Sequence, residues 1–529
     1  MRVLLVVIDA ASPRVVCPAV QAGRLPNLKR LADAGDMHAE STTIFPSITP
    51  AATTSIITGV YPSEHGIAGA SWYDTAREEV AYYGDDFWVV AREGAGNFLH
   101  DFLVRLNGDR LHAPTLFEMV ERTGRRAACL NYLVYRGLVT HQIKVPWLMA
   151  LIPGVRRSET VEGPDALYLG DFVVTRSPHR RKLDHRGGLL HRYGMDDAST
   201  AALLADLASD GPMPDFTVAY FADNDYISHE VGPHAALPVV ERVDAALGAM
   251  FDAAGGFERF MRDTCVIVTS DHGHCDILPD REEAAISLQD VLGDFRHATL
   301  GRPWQDGDEI MICPNMRAAQ IYVREPAALT ERVARQMLLE PRIDLIMWRT
   351  AAHADRSGYS VLGPDGRLEF WADGAGADPA TPDPRQASGR GVDDFGTTWL
   401  WQGDAEVLDL EFDGNRIRSS TYPNAFERIA GVLEARNSGE LWVTAQPGCE
   451  FEVPGGHAHV GGGSHGALHA LDSLSPVIMA GTPRRLPRAL RSVDLAPLCM
   501  DALGASMRYG IGDARGTGPR TPLGATRRA

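Results

Sequence analysis

VLLVVIDA, Val3 to Ala10, is an unbroken apolar run closed by an aspartate, and its reading decides the fold. A run this short, without polar alternation, suits a strand buried on both faces. Asp9 interrupts the apolar stretch and no small-residue cleavage site of the usual kind follows. The segment therefore reads as a first strand and not as a signal peptide. A strand covered on both faces needs helices above and below it, which makes the fold α/β.

Four more runs share this character: AACLN at 127–131, FTVAYF at 216–221, CVIVT at 265–269 and PVIMA at 476–480. Helical patterns lie between the runs, starting at Pro26 (PNLKRLADAG), Thr115 (TLFEMVERTG) and Val239 (VVERVDAALGAMFDAAGGFERFMRD). The alternation predicts a mostly parallel central sheet flanked by helices. Two stretches break the rhythm, at about 70–195 and 276–460. The first carries aromatics and the basic cluster HRRKLDHRGG; the second carries YSVLGPDGRLEFWA, in which PDG supplies a hairpin turn. The expectation is one α/β core over 1–529 with these two stretches as inserted cap segments. Residues 512–529, rich in Gly, Pro and Arg, read as a disordered tail.

Composition narrows the function. The chain has 529 residues and a formal net charge of −18, which argues against a surface for a nucleic-acid polymer. A local site for metals and small anions remains compatible with that charge. Seven cysteines without CxxC pairs read as reduced, mostly buried thiols. The stretch VPWLMALIPGV from Val145 is too short to span a bilayer, so no membrane partner is expected and the location is read as cytoplasmic.

In an open α/β sheet the site lies beyond the carboxyl ends of the strands. Here those ends are acidic or carry histidine. The first strand ends in Asp9; the run at 216–221 leads into ADNDYISHEVGP with Asp225 and His229; the run at 265–269 leads into SDHGH with Asp271 and His272. Asp225 and His229, four apart, fall on one face of a helical turn. Late in the chain GGGSHGALH offers His465 between glycines, while His457 and His459 read as loop residues. Aspartate and histidine donors suit Zn²⁺ or Mn²⁺ better than Ca²⁺.

The stretch SITPAATTSIITGVYPSEHG, Ser47 to Gly66, gathers seven serine and threonine hydroxyls. Thr49 stands where a helix N-cap belongs, Pro50 suits the first helical position, and Gly59 stands where the helix would stop. That places a threonine hydroxyl at a helix N-terminus, where partial positive charge stabilises an alkoxide or a phosphate. Two cations beside it would do what phosphate-ester hydrolysis needs.

These residues resemble the alkaline phosphatase superfamily, in particular its nucleotide pyrophosphatase/phosphodiesterase branch. The matching pieces, in the family's order, are VVIDA, FPSITPAATTSIITGVYPSEHGI, DNDYISHEVGP, VTSDHGH and GGGSHG, with SVDLAPLCMDALG resembling the closing segment of such cores. The resemblance implies that Asp9, Asp271 and His272 bind one metal, and that Asp225, His229 and His465 bind the other. It also implies that Thr49 is the nucleophile, forming a phosphothreonine that water then hydrolyses. The metals would be two divalent ions, zinc with manganese as the alternative, and the partner a small-molecule phosphate ester: a phosphodiester or nucleotide pyrophosphate. Phosphomonoester or phosphonate hydrolysis is the alternative on the same core, with phosphomutase or sulfatase activity ranked below it and a silent metal-binding protein last. The chain departs from the branch at Ala52, where an asparagine is usual; Asn131, Arg136 and Lys144 are the candidates to replace it.

Overall fold

The structure is a computed structural model that describes residues 1–83, 99–146, 159–174, 188–209, 211–353, 356–373, 388–452 and 458–505. The tail at 512–529, His457 and most of the HRRKLDHRGG and VPWLMALIPGV segments lie outside the described residues.

A nine-stranded sheet runs in the order Leu490–Arg491, Gly35–Thr42, Leu474–Ala480, Thr264–Thr269, Arg2–Ile8, Phe216–Phe221, Ala127–Leu130, Ala166–Leu169, Val173–Val174. From Thr264–Thr269 through Ala166–Leu169 every neighbour pair is parallel, while Leu474–Ala480 joins Thr264–Thr269 antiparallel. The first strand shows why. Val3, Leu5 and Val7 pack into one apolar cluster, and Leu4, Val6 and Ile8 into another, so alternate side chains are covered on both faces. Each such side chain contributes roughly 1.5–3 kcal/mol when removed from water. Helices Pro26–Ala34 and Leu237–Ala253 cover the second face, where Leu28, Leu31, Val240, Val243 and Leu247 are buried. The helical run read from Val239 stops at Ala253, because Gly255 and Gly256 adopt positive φ of 86° and 106°.

The register fixes the working edge. Ile8 pairs with Phe221 and Val7 with Thr269, so three strands release their next residues side by side.

Within 276–460 lies a ten-stranded sheet, antiparallel at every pairing but one, ordered from Ile310–Asn315 at one edge to Glu411–Asp413 at the other. The hairpin read from PDG is there, between Arg356–Gly363 and Gly366–Ala372. Helix Ala425–Leu433 packs on one face through Phe426, which stacks on Phe370 at 4.2 Å, and helix Pro326–Met337 packs on the other. Among the described residues no helix is long and apolar enough to cross a membrane. All seven cysteines are free, and six are buried.

Arg317 and Asp472, both fully buried, join the second sheet to the working edge by a salt bridge. Arg317 also donates to the carbonyls of Cys449 and Ala445, and its backbone N–H donates to the His465 carbonyl at 3.0 Å. Removing one partner of such a pair strands the other charge in the interior. Asp472→Ala is therefore expected to cost about 3–5 kcal/mol of stability, measured as a lowered urea midpoint; a change within 0.5 kcal/mol would contradict the account.

Candidate metal centre

The three strand ends deliver the donors. Asp9 follows Ile8 directly, helix Asp223–Val231 starts just past Phe221, and Asp271 and His272 follow Thr269. On that helix Asp225 and His229 lie one turn apart, with His229 Nε2 3.5 Å from Asp225 Oδ2. His465 reaches the same place from the glycine loop. The glycines are required by close approach: a Cβ on Gly462 would lie 1.9 Å from the His229 carbonyl oxygen, and one on Gly463 would lie 2.8 Å from that of Ser228. The loop therefore presses on the helix that carries Asp225.

Two groups of donors result. Asp9, Asp271 and His272 form one, and Asp225, His229, His274 and His465 form the other, with the donor atoms of each group within 4.8 Å of one another. The groups abut, for the His272 and His465 rings stack at 3.8 Å. All six residues named as ligands are thus brought together, and His274 joins them. Hydrogen bonds fix the imidazoles. His465 Nδ1 pairs with the Ser47 carbonyl at 2.7 Å, His229 Nδ1 with that of Gly463 at 2.8 Å, and His272 Nδ1 with that of Gly273 at 3.0 Å. Each ring so held donates from Nδ1 and presents the Nε2 lone pair inward, which is how metal-binding histidines are oriented.

Electrostatics supply the test of fit. Asp9 Oδ1, Asp225 Oδ1, Asp271 Oδ2 and His465 Nε2 are buried without a hydrogen-bond partner. Burial, reinforced by the nearby carboxylates of Asp271 and Asp225, holds the Asp9 carboxyl well above the usual range. Burial likewise raises Asp271, against the pull of His272. For Asp225 burial also pushes upward, but His229, His274 and His465 outweigh it and hold the carboxyl well below its ordinary value. Burial keeps His465 neutral, well below the usual imidazole value, and pushes His274 down to about 3. Crowded carboxylates and neutral imidazoles aimed at common points are a donor set for divalent cations, which would relieve the repulsion.

Thr49 lies at the rim of the first group, its Oγ1 3.0 Å from His272 Nε2. One expectation is corrected here. The helix is Thr49–Thr58 with extended Ile48 as its N-cap, so Thr49 is the first helical residue and Pro50 the second, and no side chain caps the end. Its hydroxyl faces the donors instead of the backbone. Gly59 closes the helix at φ 75°. From Pro50 to Thr58 this helix is buried on every side, and its threonine hydroxyls other than Thr49 bond within it. Thr53, Thr54 and Thr58 donate to carbonyls four residues back, and Ser55 Oγ pairs with His65 Nε2 at 2.9 Å.

Several neighbours were not read from the sequence. Tyr220 hydrogen-bonds the Asp9 carboxylate from within its strand. His459 is more than a loop residue: its ring lies 4.0 Å from that of His229, and its Nδ1 is 2.9 Å from buried Glu450. His274 stood in the SDHGH stretch two residues beyond His272, a same-side spacing in extended chain that could have marked it. The candidates to replace the missing asparagine are engaged elsewhere or exposed. Asn131 bonds Gly170, Gly194 and Thr200; Arg136 bonds Glu118 and the carbonyls of Leu111 and Ala113; Lys144 is exposed.

The profile of the type I phosphodiesterase / nucleotide pyrophosphatase family matches residues 3–356, two thirds of the chain. The chain belongs to that family. It is a family of metal-dependent phosphoester hydrolases within the alkaline phosphatase superfamily. Among solved structures, murine ectonucleotide pyrophosphatase / phosphodiesterase 5 aligns with a TM-score of 0.55 at 14% identity, over 97% of this chain and 98% of its own. An inactive threonine-to-alanine variant of that murine protein, in complex with AMP, aligns at 0.54 with 14% identity, over 97% of each chain. Phosphonoacetate hydrolase from Sinorhizobium meliloti 1021, in complex with phosphonoformate, aligns at 0.52 with 17% identity, over 94% and 95%. At these identities the likeness is one of fold. The 2,3-bisphosphoglycerate-independent phosphoglycerate mutase of Aliarcobacter butzleri is 36% identical over 80 residues, and the match spans 15% of each chain.

Proposed function

We propose that this protein is a two-metal phosphodiesterase acting on small phosphodiesters or nucleotide pyrophosphates, with Thr49 as nucleophile. The observation that carries the reading is the Thr49 hydroxyl lying 3.0 Å from His272 Nε2, at the rim of two abutting donor groups. In this reading Asp9, Asp271 and His272 hold one divalent cation, and Asp225, His229 and His465 the other. Bound there, the cations would lower the pKa of the threonine hydroxyl and neutralise charge on the phosphoryl oxygens. Thr49 Oγ1 forms a bond to phosphorus as the ester P–O bond breaks; the threonine proton passes to solvent and the departing oxygen takes one up. Water then attacks phosphorus and releases Thr49. Tyr220 keeps Asp9 oriented, and the Ser47 and Gly463 carbonyls keep His465 and His229 oriented.

The family assignment favours diesters, and the murine relative's inactive threonine variant with bound AMP supports both the threonine role and a nucleotide substrate. The nitrogen-rich Asp225 group suits zinc, whereas the Asp9 group, with two carboxylates, also suits manganese. Seven free cysteines fit a reducing, cytoplasmic setting. The test is a panel of a p-nitrophenyl nucleotide diester, p-nitrophenyl phosphate, a dinucleotide pyrophosphate and phosphonoacetate, assayed with each metal. The diester or pyrophosphate is expected to exceed the monoester at least tenfold in kcat/KM. Preference for the monoester or phosphonate would overturn the substrate reading and leave the nucleophile standing.

A further inference from the structure

The two donor groups are unequal, three residues against four, and the difference is His274. Its ring is fully buried, 4.7 Å from that of His229 and 5.0 Å from that of His465. Its Nδ1 is held 2.5 Å from Ser228 Oγ, on the helix that carries Asp225 and His229. Its Nε2 lies 3.1 Å from Asp225 Oδ1, close enough for the two to share a bound ion as readily as a proton. Both atoms belong to the group of four donors that all lie within 4.8 Å of one another. Donors about 2.0–2.1 Å from a tetrahedral ion stand about 3.3 Å apart. The distances from Asp225 oxygens to Nε2 of His274, His229 and His465 are 3.1, 3.5 and 3.7 Å.

Building on the two-cation reading, we propose that His274 is a fourth protein donor at the Asp225 centre. One aspartate and three histidines then complete a closed tetrahedral set, of the kind that holds zinc structurally, while the Asp9 centre keeps a position for a reacting group. The centres consequently divide their work. The Asp225 centre binds its ion first and contributes fixed charge; the Asp9 centre, with Thr49 at its rim, binds second and exchanges.

Affinity alone cannot separate a donor from a hydrogen-bonding neighbour, since loss of either weakens a metal about 10–100-fold. The number of imidazoles on the ion can. The metal-stripped full-length protein is loaded with one equivalent of zinc, and X-ray absorption counts the histidines around it. Three are expected in the wild type and two in His274→Gln. Two or fewer in the wild type would overturn the proposal while leaving the two-cation reading intact, and the wild-type count decides even if the variant fails to fold. A chain that binds no zinc would overturn both.

Discussion

Thr49→Ala is expected to lower turnover by on the order of 10³- to 10⁶-fold, the scale of a lost nucleophile. The variant removes the only hydroxyl in its helix that faces the donor groups; Thr53, Thr54 and Thr58 donate to the helix's own carbonyls. Thr49→Ser keeps the oxygen and should retain part of the activity, and Thr53→Ala and Thr54→Ala should retain most. Metal content is expected to survive in Thr49→Ala, because every aspartate and histidine of the two groups remains. Acid quench of the native enzyme during turnover should leave phosphate, or the nucleotide itself, on the peptide that contains Thr49. Near-normal turnover in the alanine variant, or label on another peptide, would assign the attack to water acting directly on phosphorus.

The second large effect concerns the cations. Exhaustive chelation should reduce hydrolysis to the uncatalysed background, and zinc or manganese should restore it, with close to two equivalents bound at full activity. The physical ground is the cluster of buried carboxylates, with burial and mutual repulsion holding Asp9 well above its ordinary value. Without a cation these groups neither ionise fully nor gather charge for a phosphoryl oxygen. Elemental analysis finding no retained zinc or manganese after reconstitution, or activity indifferent to chelator, would end the two-metal account.

Much of this was legible because the informative residues sit where periodicity changes. Asp9, Asp225 and Asp271 each follow an apolar strand, and parallel register alone suffices to bring such positions to one edge. His465 was legible through its glycines, whose purpose is the close approach of the loop to the Ser228 and His229 carbonyls. Thr49 was placed one position early, since an N-cap and a first helical residue differ only by a dihedral angle at Ile48 that no side chain announces. The partners supplied by folding were harder. Tyr220 lies inside a strand that reads as plain core, and His459, held by Glu450, comes beside the His229 ring only in the folded chain. The ten-stranded sheet showed itself at one hairpin because its other local turns, such as that between Ile310–Asn315 and Ala318–Val323, lack the PDG signal, and its remaining pairings join distant segments, such as Ala318–Val323 with Leu441–Ala445.

The donors of one pocket are scattered from Asp9 to His465, almost the whole length of the chain. A ribosome exposes the first carboxylate hundreds of residues before the last imidazole, and the Asp225 group, which includes His465, cannot be complete in the interval. Completion of that group is therefore a late event in the chain's synthesis, after Asp9, Asp271 and His272 have all been translated.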